Sequence, residues 1–76
     1  MNRKWKVTKD EYVITWTLGP YVVYGVLMDK KLVGYILYQN NKQIGFFGPR
    51  SLKKLNAKLR RLGLPFIKLR SDDKNE

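Results

Sequence analysis

Tyr12, Ile14, Trp16 and Leu18 alternate with Val13, Thr15 and Thr17. Successive side chains of a strand point to opposite faces, so a period of two predicts a strand over 12–18. Trp5 and Val7 alternate with Lys4, Lys6 and Thr8 and predict a short half-buried strand before it. Lys9-Asp10-Glu11 is the polar turn between them. Gly19-Pro20 breaks the second run. A third run covers 21–28, with Gly25 weakening its interior or marking a bulge. Asp29-Lys30-Lys31 turns the chain into a fourth run over 32–39. Asn40-Asn41 is a hairpin signal, because Asn tolerates positive φ, and 43–47 is the fifth run. Connections this short make each strand antiparallel to the last.

The period then changes. Gly48-Pro49 ends the sheet, and Ser51 is a candidate helix N-cap. Leu52, Leu55, Leu59 and Leu62 follow at three- and four-residue steps, an apolar stripe about 80° wide on a helical wheel. Lys53, Lys54, Lys58, Arg60 and Arg61 take the other side, with Ala57 among them. Gly63 is placed to cap the helix in a left-handed conformation, Leu64 is its apolar partner, and Pro65 stops the helix. Residues 66–69 read as a last edge strand or an ordered tail. Residues 71–76 read as a disordered acidic tail. No repeat or domain boundary is visible, so 1–70 is expected to form one basic domain.

These elements predict an α+β fold. An antiparallel sheet of four to five strands is followed by one C-terminal amphipathic helix packed on it by its leucine stripe. One helix covers only one sheet face. Yet the fourth run is apolar on both sides, with Val33, Tyr35 and Leu37 against Leu32, Ile36 and Tyr38. Either the sheet curls into a small barrel, or an apolar patch stays open for a protein partner or a second copy.

Charge adds a class of ligand. The 76 residues hold 16 Lys or Arg against 6 Asp or Glu, a net charge of +10. The tail 71–76 balances to −2, leaving +12 on residues 1–70. Folding gains nothing from that self-repulsion, so a polyanion is the expected user. Between positions 50 and 70 stand Arg50, Lys53, Lys54, Lys58, Arg60, Arg61, Lys68 and Arg70, with no acid among them. A mere surface helix would gain from interspersed Glu, and Lys53 and Lys54 oppose the helix dipole. These eight residues are the candidate nucleic-acid contacts. Arg3, Lys4, Lys6 and Lys9 form a second basic cluster, fit for a phosphate-binding arm or for guarding an edge strand.

Catalytic chemistry finds little to use. The chain has no Cys and no His, which removes disulfides, the usual zinc ligands and the commonest general base. Outside the tail its only acids are Asp10, Glu11 and Asp29. The junction Gly48-Pro49-Arg50-Ser51 offers at most a weak anion site. No cofactor, metal or catalytic residue is expected. The aromatics Trp5, Tyr12, Trp16, Tyr21, Tyr24, Tyr35, Tyr38, Phe46, Phe47 and Phe66 are mostly core candidates. Tyr24, Tyr35 and Tyr38 are the best of them for stacking an unpaired base.

A sheet of three or more antiparallel strands followed by one packed helix resembles, at the level of fold, the small DNA-binding domains of AP2 type and of integrase arm-binding type. That resemblance implies reading DNA with the sheet. Here the run 12–47 holds only three basic residues, Lys30, Lys31 and Lys42, all near turns, which favours the helix side instead. The leading expectation is a small non-enzymatic protein binding DNA or structured RNA through phosphate contacts. The alternative is a phage-like or host-directed modulator that sets the same charge and an apolar sheet against a larger protein complex. Membrane attachment ranks last, because packing on the sheet uses the leucine stripe. Absence of Cys fits a reducing compartment, and a cytoplasmic location is expected.

Overall fold

A computed structural model describes residues 4–69; Arg3, Arg70 and the acidic tail 71–76 lie outside them. The elements are β1 (Lys6–Lys9), β2 (Val13–Leu18), β3 (Tyr21–Met28), β4 (Lys31–Gln39), β5 (Lys42–Phe47) and α1 (Leu52–Arg61). Each strand pairs antiparallel with its predecessor, giving the order β1-β2-β3-β4-β5. β1 and β5 remain edges, so the sheet is open and the barrel alternative is not formed. The face that closure would have buried is covered by α1 instead.

The turns follow from their residues. Asp29 and Lys30 have φ of 52° and 66°, and Asn40 and Asn41 have 53° and 66°. Two successive positive values are the turn that matches the twist of paired strands. Before β2, the Asp10 carboxylate accepts the Tyr12 and Val13 amides at 2.7 and 2.9 Å.

Paired residues share a face, so the register sorts the side chains. Trp16, Val23 and Leu37 form one row beneath the helix, and Ile14, Gly25, Tyr35 and Phe47 the next. Leu55 and Leu59 of α1 are fully buried on this face, and Leu52 and Leu62 are partly buried beside them. A Cβ on Gly25 would stand 3.0 Å from the Trp16 ring, so the indole lies against bare backbone there. Leu64 and Ile67 complete the core from beyond the helix.

The opposite face has no cover from α1. It carries Val13, Thr15 and Thr17 of β2, Val22, Tyr24 and Val26 of β3, Ile36 and Tyr38 of β4, and Phe46 of β5. Tyr24 and Tyr38 meet edge to face at 5.5 Å, and Phe46 is 63% exposed.

Three local features differ from the sequence reading. First, Val26 pairs with Gly34 but Leu27 pairs with Leu32, so Val33 is the extra residue of a bulge. The bulge moves Leu32 out of the set of Ile36 and Tyr38 and onto the core. Second, Ser51 makes no side-chain capping bond; its φ and ψ of −105° and 32° are outside the extended region that capping uses. Its amide donates instead to the Gly48 carbonyl at 3.1 Å. Third, every residue of β1 is exposed, since the strand has one neighbour and stands at the sheet edge.

Candidate nucleic-acid interface

The end of α1 sets the site. Gly63 has φ of 76°, its amide donates to the Arg60 carbonyl at 3.0 Å, and the Leu64 amide donates to the Leu59 carbonyl at 2.9 Å. These are the paired bonds of a Schellman motif, which satisfies helix-end carbonyls and reverses the chain. Leu64 then enters the core beside Leu59, and residues 64–69 run back along the helix without forming a strand.

Two side chains pin this returning segment. Asn56, half-buried on α1, accepts the Ile67 amide at 2.8 Å and donates to the Ile67 carbonyl at 3.0 Å. From the sheet side, the Trp5 indole donates to the Pro65 carbonyl at 2.8 Å. Leu64 and Ile67 are buried, while Phe66 between them is 59% exposed.

Phe66 lies at the border of two open clefts. The first, of about 750 Å³, is lined by Lys53, Asn56, Ala57, Arg60, Arg61 and Phe66. The second, of about 520 Å³, adds Lys4 and Lys68 to Trp5, Val7, Trp16, Pro65, Phe66 and Ile67. Among the described residues, no acid lines either cleft. Lys53 and Arg60 are seven residues apart, two turns or about 10 Å along the axis. Ala57 between them is short and exposed, which leaves the cleft open over the helix.

The sequence-predicted contacts separate. Lys53, Arg60 and Arg61 share the first cleft. Lys68 faces the second and is joined there by Lys4 of the N-terminal cluster. Lys54, exposed, and Lys58, half-buried, border neither cleft. Arg50 is exposed in the turn before α1, and Arg70 lies outside the described residues. No acid occupies the first turn of the helix, whereas Lys58, Arg60 and Arg61 stand in the last, where the dipole favours cations.

Among the stacking candidates, Tyr35 is corrected. It is fully buried in the core, tilted against Trp16 at 6.3 Å, and out of reach of any ligand. Burial pushes its phenol above the ordinary value of 10.0, and its hydroxyl finds no hydrogen-bond partner among the described residues. Tyr24 and Tyr38 lie on the open face with each other as neighbours. Trp5 and Trp16 line the second cleft with Lys4 and Lys68, and Phe66 is the aromatic that borders the cations of both clefts. A signal for it was present: an aromatic directly after Pro65 and flanked by basic segments. Its exposure depends on contacts with Asn56 and Trp5, which periodicity does not encode.

Compared with protein-family models, curated proteins and solved structures, the chain finds no match. No helix among the described residues is long and apolar enough to cross a membrane.

Proposed function

We propose that this protein is a small non-enzymatic nucleic-acid-binding protein. It holds the sugar-phosphate backbone with Lys53, Arg60 and Arg61 of α1 and with Lys68 and Lys4 beside the returning segment. The observation that carries the reading is the pair of clefts meeting at Phe66, lined by cations and, among the described residues, by no acid. Lys and Arg side chains displace condensed counterions from phosphates, so affinity must fall steeply with salt. Fluorescence anisotropy of labelled duplex DNA, single-stranded DNA and structured RNA across a salt series tests it. We expect the triple substitution Lys53→Glu, Arg60→Glu, Arg61→Glu to weaken every nucleic acid bound and to flatten the salt slope by about one per lost contact. Unchanged affinity and slope would overturn the assignment.

A second reading concerns the uncovered sheet face, and the occupant it fits is a second copy of the chain. Among the described residues that face carries charge only at its margins, Lys6 on β1 and Lys31 at the start of β4, so two copies meet there with their cationic helices outermost. Strand spacing and rise give a face of about 20 by 20 Å. That is the low end of what specific interfaces use, and it predicts a dissociable dimer rather than a permanent one. Sedimentation equilibrium over a concentration series tests it, and a monomer throughout would reject it.

A further inference from the structure

We propose that Phe66 is a stacking platform for an unpaired base, so that the nucleic acid taken by the cationic clefts is single-stranded. The inference rests on the reading that these clefts bind phosphates, and it adds what lies between the phosphates.

Phe66 is exposed where a small protein had means to bury it. Its neighbours Leu64 and Ile67 are in the core, and the ring is turned out at 59% exposure. The backbone beneath it is held tightly. Asn56 takes both polar groups of Ile67, Trp5 takes the carbonyl of Pro65, and the Pro65 ring restricts φ just before Phe66. An exposed ring on a fixed backbone is already in place for a ligand, with little ordering left to do on binding.

The surroundings select the ligand. The ring borders both clefts, with Lys53, Arg60 and Arg61 on one side and Lys4 and Lys68 on the other. A polyanion passing from one cleft to the other must cross the ring. A single strand alternates phosphates with flat π-faces, so its phosphates reach both groups of cations and a base comes to rest on Phe66. A duplex keeps its bases stacked internally and would gain only the cations. An acidic peptide matches the charge but brings no flat group to the ring at each step.

The test compares three labelled probes by anisotropy at about 150 mM salt. They are a twelve-nucleotide thymidine strand, an abasic strand of equal length and charge, and a hairpin duplex. Unlabelled polyglutamate serves as competitor. We expect the wild-type protein to bind the thymidine strand about fivefold or more tightly than the abasic strand. Phe66→Ala should abolish that difference and leave abasic binding within about twofold, and Phe66→Trp should restore it. Because the ring is exposed, the alanine variant should keep the wild-type circular dichroism spectrum. Equal binding of both strands by the wild type, or equal weakening of both by Phe66→Ala, would overturn the platform while leaving phosphate binding intact. Weakened binding of every probe by Lys53→Glu/Arg60→Glu supports the underlying reading. Unchanged binding in that variant, or polyglutamate competing as well as thymidine, would overturn both.

Discussion

Tyr35 shows what one atom can cost. The side chain is fully buried and its ring packs on Trp16, yet its hydroxyl lacks a partner among the described residues. A buried donor without a partner costs about 1–3 kcal/mol. Tyr35→Phe keeps the ring and removes the cost, so the urea midpoint should rise, corresponding to about 1 kcal/mol or more. The same residue sets a limit at high pH. Its folded-state value is raised above 10.0 by burial. The unfolded chain therefore ionises first, and stability present below pH 10 is lost as pH rises through the folded value. Tyr35→Phe should show a shallower decline in thermal midpoint above about pH 10 than the wild type. An equal decline would assign the loss to other tyrosines or to lysines. Gly63 is the converse case, a residue required by backbone rather than packing. A Cβ there would touch nothing within 4 Å, but φ is 76°. Gly63→Ala should therefore cost about 1–2 kcal/mol through conformation alone, measured by the same denaturation.

At the scale of elements, the segment after α1 is the joint between fold and site. Asn56 is its clasp, with two hydrogen bonds to Ile67. Asn56→Ala removes both and leaves the Ile67 amide and carbonyl without those partners. We expect a loss of about 1–3 kcal/mol in stability and faster hydrogen exchange at the Ile67 amide, with the strands unaffected. Wild-type exchange there would mean the core contacts of Leu64 and Ile67 hold the segment unaided. Strands and turns were legible because period two, Gly19-Pro20 and Asn40-Asn41 are local signals. The leucine stripe and Gly63 were legible for the same reason. Leu32 was misplaced because one extra residue, Val33, inverts the alternation, and no composition rule marks where a bulge falls. The site was half legible. The cations are visible as a run in the chain, but their division between two clefts is not. Trp5 reaches Pro65 across 60 positions of sequence, and that contact helps set Phe66 between the cations. Lys53 also carries a conflict that the sequence announces. At the helix N-terminus a carboxylate would be favoured, so Lys53→Glu should stabilise the fold by a few tenths of a kcal/mol while weakening nucleic-acid binding. Parallel changes in both would argue against a cation kept there for binding.

For the whole molecule the decisive quantity is the separation of charge from apolar surface. One side of the sheet carries α1, the clefts and Lys53, Arg60, Arg61, Lys4 and Lys68. The other carries Tyr24, Ile36, Tyr38 and Phe46 with almost no charge. If the two surfaces bind as proposed, they should respond to salt in opposite directions. Binding of a polyanion releases counterions and weakens as salt rises. Pairing of two copies, each carrying a net charge of +10, works against repulsion that salt screens, so it strengthens. Between about 50 and 500 mM salt, the apparent nucleic-acid affinity should fall by orders of magnitude while the dimer fraction at fixed protein concentration rises. Phe46→Lys places a charge on the open face at its β5 edge and should disrupt the dimer without changing the affinity of a monomer for nucleic acid. The triple charge reversal on α1 should do the opposite, removing nucleic acid and strengthening the dimer by reducing the repulsion. If either substitution moves both properties together, the two faces are not independent, and the sheet takes part in the same binding event as the helix.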